Sequence, residues 1–366
     1  MTRIAITGAR GFLGWHTRSA FRELGVITES IRVGDEFDLE TARLTLSGAS
    51  RFIHIAGANR GQDGEIRALN ERFAQQAAAA IVASENPPPV IVFANSTQVA
   101  RGNAYGEGKA SAAEILSAAA ETVGAEFVNV LLPNLFGEHG RPFYNAVTAT
   151  FSHLIANGEK PTVEIDRELR LLHAQDAADI LIGVSPLEAA ESLAVEETVT
   201  GLLGRLVTIS DIYSRGEIPD IASKFDRDLF NTYRSYLFPR QAPIQLARHA
   251  DARGSFFEIV RAHGGQGQSS FSTTQPGISR GDHFHRRKVE RFTVLAGNAT
   301  ISLRRLFTSD VIEFSVSGDT PVAVDMPTMW SHNIINSGSD VLYTSFWANE
   351  IFNPDSPDTI AEVVHA

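Results

Sequence analysis

Three histidines and a glutamate near the C-terminal end of the chain are spaced as metal ligands. His283 and His285 are two residues apart, Glu290 follows, and His332 lies in a later stretch running from Pro327 to Asn336. Side chains on a strand alternate between faces, so His283 and His285 share one. Imidazole nitrogen and carboxylate oxygen suit zinc and other first-row divalent metals. Zinc is the first expectation, and nickel, manganese and iron stay open on ligand type. Such an ion can act as a Lewis acid. Lys288 sits inside the motif. It could serve as a base if its pKa were depressed, or as a cation that contacts substrate phosphate.

The opposite end carries a different chemistry. Gly8-x2-Gly11-x2-Gly14, with Arg10, Phe12 and Leu13 between the glycines, follows a strand-like run and opens a helix. Glycines there permit a tight turn and let pyrophosphate approach the positive end of the helix. Tyr105-x3-Lys109 places a phenol and an ammonium on one face of a predicted helix. A tyrosine titrates near 10, and a nearby ammonium favours its ionised form. Ser96, just past the strand Val90 to Ala94, could hold a carbonyl oxygen. Arg32 at the end of the second strand, assisted by Arg10, suits a 2'-phosphate and points to NADPH. Glu29 and Asp35 keep NADH open.

These residues need elements to carry them. Strand-like runs at Arg3–Thr7, Val26–Arg32, Arg51–Ala56, Val90–Ala94 and Phe127–Leu132 alternate with helical stretches such as Ile66–Ala83 and Tyr105–Thr122. That alternation predicts an α/β doubly wound parallel sheet covered on both faces. Beyond about Val207 the pattern changes. An aromatic-rich region with Phe225, Phe230, Tyr233, Tyr236 and Phe238 gives way to short strands, among them Phe271–Thr274, Phe292–Leu295, Thr300–Leu303 and Val341–Phe346. They predict an antiparallel sandwich or barrel. The expected boundary lies near Ala242, giving domains 1–242 and 243–366.

The 366 residues, 43% of them hydrophobic, suffice for two cores. A net charge of -11 argues against a nucleic-acid partner. The chain has no cysteine, which removes disulfides, thiolate ligands and cysteine nucleophiles, and fits a cytoplasmic enzyme. No stretch reads as a membrane span or a signal peptide.

With the glycine loop, Ser96, Tyr105 and Lys109 in this order, the N-terminal part resembles the extended short-chain dehydrogenases/reductases. His54-Ile55-Ala56-Gly57, Asn70, Pro133-Asn134-Leu135-Phe136-Gly137 and Asp176 fit as well. The interval from Ser96 to Tyr105 is shorter than is usual there. The resemblance implies a Rossmann domain and catalytic roles for Ser96, Tyr105 and Lys109. It implies a dinucleotide held by the glycine loop, Ala56, Gly57, Tyr105 and Lys109, and often a nucleotide-linked sugar as substrate.

The metal motif resembles the cupin family, with Gly277, Gly297, Pro327 and Asn336 at framework positions and Met329 where glycine is usual. The cupin likeness implies an all-β barrel with His283, His285, Glu290 and His332 as its ligands. Almost end to end, the chain resembles a family of bifunctional capsular-polysaccharide enzymes that join these two domains. Arg141-Pro142-Phe143-Tyr144-Asn145, Arg253-Gly254-Ser255-Phe256, Trp330-Ser331-His332-Asn333 and Asn353-Pro354-Asp355-Ser356-Pro357-Asp358-Thr359 carry that likeness. It implies C3 epimerisation of a UDP-linked 4-keto-6-deoxy-N-acetylhexosamine by the cupin domain, reduction of the C4 ketone by the other, and a homodimer. Asn134, Arg141, Asn145 and Lys288 are the expected substrate contacts. A secondary-metabolite reductase fused to a cupin oxygenase or isomerase, and a reductase with a non-catalytic cupin module, stay open as alternatives.

Overall fold

The computed structural model describes residues 3–365. They form two compact units. One holds the chain up to Thr150 together with Ile165–Val199; the other holds Phe151–Glu164 and the chain from Thr200 onward. The expected boundary near Ala242 lies within the second unit.

In the first unit the strands are β1 (Arg3–Thr7), β2 (Ile27–Ile31), β3 (Arg51–His54), β4 (Val90–Ser96), β5 (Glu126–Leu132), β6 (Asn134–Phe136), β7 (Glu168–His173) and β8 (Val195–Thr198). The helices up to Ser192, in order, are α1 (Phe12–Glu23), α2 (Leu39–Leu46), α3 (Asp63–Ala83), α4 (Ala104–Val123), α5 (Val147–Ala156), α6 (Ala174–Ile182) and α7 (Ala189–Ser192), and the chain passes from the first unit to the second within α5. β1 to β5 make a parallel sheet in the order β2-β1-β3-β4-β5. Alternation explains its two cores. Ile4 and Ile6 pack with Ala20, Phe21 and Ala177 on one face. Ala5, Phe52 and Phe93 pack with Leu46, Ala77 and Leu116 on the other. β6, β7 and β8 form a separate small sheet. The strand order reverses between β1 and β3, and open α/β sheets bind ligands outside the carboxyl ends of strands at such a point. Thr7 pairs with Ile31 and with His54, so β1, β2 and β3 end side by side there.

Beyond the end of α5, the second unit holds α8 (Val199–Tyr213) and α9 (Lys224–Leu237). The aromatic-rich region of the sequence is thus helix α9. Ser223 caps it by accepting from the Asp226 amide, and Leu229, Phe230 and Tyr233 are buried. The strands are β9 (Ile244–Gln245), β10 (Arg248–Asp251), β11 (Gly254–Phe257), β12 (Gln268–Thr274), β13 (Ser279–Phe284) and β14 (Glu290–Ala296), then β15 (Asn298–Arg305), β16 (Val311–Ser317), β17 (Val322–Met326), β18 (Trp330–Asn336), β19 (Leu342–Ala348) and β20 (Ile360–Ala361). Their pairing is antiparallel. Two five-stranded sheets result, β12-β19-β14-β17-β9 and β16-β15-β18-β13-β20, with β10 and β11 as a separate hairpin. Phe292, Val324 and Leu342 of one sheet pack with Ile301, Leu303 and Ile334 of the other in one core. Among the described residues these hydrogen bonds leave two open sheets, not a closed barrel. No described helix is long and apolar enough to cross a membrane.

Candidate functional sites

Gly8 follows β1 directly, with a left-handed φ of 69°. A β-carbon there would sit 2.8 Å from the Ala56 nitrogen, and one on Gly14 would sit 2.1 Å from the Gly8 oxygen. Side chains at these positions would push the loop off the strands. α1 starts beyond Gly11 with no side-chain cap and no acidic residue in its first turn. Its leading amides therefore suit an anion. The loop fits a dinucleotide pyrophosphate. Phe12 and Leu13 open that helix, and Arg10 beside them is exposed. Arg32 lies just past β2, exposed, with its guanidinium 2.5 Å from Glu36. The acidic neighbours are engaged by other arginines: Glu29 with Arg3 at 2.9 Å and Asp35 with Arg72 at 2.8 Å.

Thr7 was not singled out by its sequence, yet it knits the strand ends together. Its hydroxyl oxygen accepts from the Ile55 and Ala56 amides at 3.1 and 3.3 Å. The hydroxyl proton is then left for His54 Nδ1, 3.0 Å away. Burial, reinforced by nearby Lys109, lowers the His54 pKa to about 3, so this acceptor stays neutral.

Ser96 ends β4, two residues later than the sequence suggested, and its oxygen accepts from the Gln98 amide at 3.2 Å. The short interval to Tyr105 is filled by one 3-10 turn, Thr97–Arg101. Asn103 then caps α4 by accepting from Gly106 at 2.8 Å. A β-carbon on Gly106 would meet the Gln98 oxygen at 2.2 Å, so glycine lets the helix start pack tightly on that turn. Lys109 is buried one turn further along α4. Its ammonium donates to the Ala94 carbonyl at 2.7 Å and lies 4.5 Å from the centre of the Phe93 ring. A methyl on Gly57 would stand 3.5 Å from that ammonium. Burial lowers the Lys109 pKa to about 7 and raises that of Tyr105 to about 12. The direction for Tyr105 is opposite to the one expected from a neighbouring ammonium, because loss of water around the phenol sets it.

Asn134 opens β6 and is exposed. Arg141 places its guanidinium 4.8 Å from the Tyr144 ring centre, and Arg60 lies 5.7 Å from the same ring. Asn145, with φ at 53°, donates to the Asn59 carbonyl at 2.6 Å. Arg60, which no motif singled out, joins this group from the loop after β3.

In the second unit the two sheets together build the histidine cluster. His283 of β13 and His332 of β18 are direct register partners, beside a bulge at Asp282. His285 follows the end of β13, and Glu290 opens β14 in the facing sheet. One candidate ligand atom from each of the four lies within 4.8 Å of all the others. Glu290 Oε2 is 3.0 Å from His285 Nε2, 3.4 Å from His332 Nε2 and 4.0 Å from His283 Nε2. Ligands bound tetrahedrally to zinc stand about 3.3–3.5 Å apart.

The tautomers support a cation. His285 Nδ1 lies 2.5 Å from the Asp358 carbonyl and His332 Nδ1 lies 3.1 Å from the Trp330 carbonyl. A carbonyl only accepts, so both Nδ1 atoms carry hydrogen. In the neutral rings each Nε2 then points a lone pair toward the Glu290 carboxylate. His332 Nε2 is buried without a hydrogen bond, and burial lowers the His332 pKa to about 4. Burial opposes ionisation of Glu290, but the three histidines around it outweigh that effect and hold the carboxyl well below its ordinary value. Lone pairs facing a carboxylate call for a positive charge between them, so the residues fit a divalent metal. The His283 side chain is 20% exposed, which leaves the cluster open on that side.

Lys288 is 6% exposed and donates to the Pro357 carbonyl at 2.8 Å and Thr359 Oγ1 at 3.3 Å. Its charge is thus tied to the C-terminal segment. Met329 has φ at 59°, the left-handed conformation that makes glycine the usual residue in the resembled motif.

Residues 38–190 match the NAD dependent epimerase/dehydratase family, and residues 249–360 match the polysaccharide biosynthesis C-terminal domain. Over 368 aligned residues the chain is 30% identical to the UDP-2-acetamido-2,6-beta-L-arabino-hexul-4-ose reductase of Pseudomonas aeruginosa, covering 98% of each. The structure of the capsular polysaccharide assembling protein CapF from Staphylococcus aureus matches with a TM-score of 0.60 and 30% identity, over 99% of this chain and 100% of that one. A shorter stretch is 26% identical over 123 residues to the spore coat polysaccharide biosynthesis protein SpsL of Bacillus subtilis, covering 31% of this chain and 82% of that protein. The chain belongs to the NAD-dependent epimerase/dehydratase family of enzymes and bears a polysaccharide-biosynthesis C-terminal domain.

Proposed function

We propose that this chain is a bifunctional nucleotide-sugar enzyme. Its C-terminal unit, read as a cupin, epimerises C3 of a UDP-linked 4-keto-6-deoxy-N-acetylhexosamine. Its N-terminal unit then reduces the C4 ketone with NADPH. The observation that carries the reading is the presence in one chain of a half-buried Tyr105 and a buried Lys109 one turn apart on α4, and a cluster of three histidines and a glutamate. The end-to-end likeness to a hexul-4-ose reductase supplies the substrate class.

When bound, the nicotinamide supplies hydride to a ketone carbon, and a divalent cation, zinc first, supplies Lewis acidity beside a ketone oxygen. The chain's own groups do the rest. Tyr105, held protonated by burial, donates its proton to the ketone oxygen as that oxygen gains charge. Ser96 orients the oxygen through its hydroxyl, and Lys109 supports the ribose and the phenol. His283, His285, Glu290 and His332 would hold the cation, and the opening at His283 is where a sugar ketone could approach. Asn134, Arg141 and Asn145 are the proposed sugar and diphosphate contacts, with Arg60 added by its place beside Tyr144. Reduction removes the ketone that makes C3 exchangeable, so the second step draws the reversible first one forward.

The positive charge of Arg32 and Arg10 at the end of β2 and in the glycine loop supports NADPH over NADH, with Arg32 exchanging its exposed partner Glu36 for the 2'-phosphate. Losing one charge-assisted contact to a 2'-phosphate costs about 1.5–3 kcal/mol. Arg32→Ala is therefore expected to cut the NADPH-over-NADH preference in kcat/KM by about tenfold or more. A wild-type enzyme that prefers NADH would reject the arginine reading. Homodimer formation is part of the proposal. Edge strand β12 presents Phe271, 60% exposed, beside Tyr343, and sheet edges are commonly covered by association.

The direct test is incubation with the UDP-4-keto sugar and NADPH in deuterated water. Deuterium at C3 together with NADPH oxidation is expected. Oxidation without exchange removes the epimerase half, and exchange without oxidation removes the reductase half.

A further inference from the structure

The last residues of the chain are laced across the strand and loop that present the histidines, and one side chain makes most of that connection. Asp358 is 4% exposed. Its Oδ1 accepts from the Arg286 amide at 2.8 Å, and its Oδ2 accepts from the Arg287 amide at 2.9 Å and the Lys288 amide at 2.8 Å. Those three amides make up most of the turn that joins His285 to Glu290. The carbonyl of the same residue receives His285 Nδ1. Asp358 thus grips the turn through its carboxylate and sets the tautomer of His285 through its backbone. β20 continues the grip by pairing Ala361 with His283, and Glu362 donates its amide to the Asp282 carbonyl at 2.9 Å. Asp358 has φ at 44°, a conformation that aspartate, asparagine and glycine tolerate best.

We propose that Asp358 is a positioning residue for the metal centre: its carboxylate fixes the 286–288 turn, and so sets the separation of His285 and Glu290 that a divalent cation requires. The inference rests on the metal-centre reading above. Partners that orient ligands from behind are worth about 10–100-fold in metal affinity when removed.

Two variants separate this role from a merely structural one. Asp358→Asn keeps the shape but turns an amide NH2 toward backbone donors. Asp358→Gly removes the carboxylate while keeping the left-handed backbone free of strain. Zinc affinity is read by competition with a chelator, and ligand geometry by the visible absorption of the cobalt(II)-loaded protein. Dinucleotide binding and circular dichroism report that the chain is folded. The expected result is a stoichiometric zinc in the wild type, binding weakened about 10–100-fold in both variants, and an altered cobalt spectrum. Variants with wild-type affinity and spectrum overturn the role of Asp358 and leave the metal centre standing. Loss of folded sheet in both also overturns it, because the carboxylate would then hold the fold and not the ligands. A wild type that takes up no stoichiometric metal overturns the metal centre itself.

Discussion

Burial acts on Tyr105 and Lys109 in opposite senses. The phenol is pushed up to about 12, so it remains an acid across the physiological range. The ammonium is pushed down to about 7, so it loses its proton where the tyrosine does not. The unfolded chain keeps the lysine proton up to about 10.5, so folding releases it between about 7 and 10.5 and stability rises with pH across that window. For catalysis the sign is reversed. If the charged lysine assists proton donation, kcat/KM for ketone reduction falls as pH rises through about 7. A profile that stays flat from about pH 6 to 9 would count against a role for that charge. Tyr105→Phe is expected to lower kcat by about 10²–10⁴-fold while dinucleotide binding is retained, as measured by single-turnover kinetics and titration. Residue types at fixed spacing made Tyr105, Lys109 and the histidine set legible in the sequence. The surroundings were not legible. The reversed shift of Tyr105, the capture of Lys288 by Pro357, and the hold of Asp358 on the 286–288 turn all depend on contacts between residues far apart in the chain.

At the scale of elements, helices α8 and α9 are pinned to the sandwich by buried polar groups. Arg291 on β14 meets Asp325 on β17 in a two-pronged pair at 2.6 and 2.9 Å. The Tyr213 hydroxyl at the end of α8 donates to the same carboxylate at 2.9 Å. From α9, Arg234 donates to the Met326 carbonyl at 3.1 Å and Asn231 to the Arg287 carbonyl at 2.9 Å. Arg291 is 1% exposed, so removing its partner strands a buried charge. Asp325→Ala is expected to destabilise the second unit by about 3–5 kcal/mol in denaturant titration. A loss below about 1 kcal/mol would mean that water reaches the arginine. Burial opposes ionisation of Asp325, but Arg291 outweighs it and depresses the carboxyl below its ordinary value of 3.8. Its stabilisation is therefore present above that value and is lost as pH falls through the depressed one. The alternation of strands and helices in the first unit was readable because buried parallel strands leave apolar runs. Helix α9 left a readable trace in Ser223 and the spacing of Leu229, Phe230 and Tyr233, obscured by its many aromatic and polar residues. The division of the C-terminal strands into two open sheets was not readable, since alternation reports which face is buried and not which neighbour a strand pairs with.

Across the whole molecule, the two proposed chemistries never need to share an atom. The glycine loop with Tyr105 belongs to the first compact unit, and the histidine cluster to the second. Each has its own core and its own set of polar anchors. Family membership was legible because glycine, tyrosine, lysine and histidine positions are fixed by chemistry. The sugar is legible only through relatives, because the proposed substrate contacts, Arg141 among them, lie on a loop whose shape follows from packing against Arg60 and Thr150. If the two centres act in sequence, disabling the later one should leave the earlier one running. The most direct measurement is proton exchange at C3 of the UDP-4-keto sugar in deuterated water, followed by mass spectrometry, with the Tyr105→Phe enzyme. Deuterium at C3 is expected at close to the wild-type rate, with NADPH oxidation almost abolished. Loss of exchange together with reduction in that folded variant would contradict the two-centre reading.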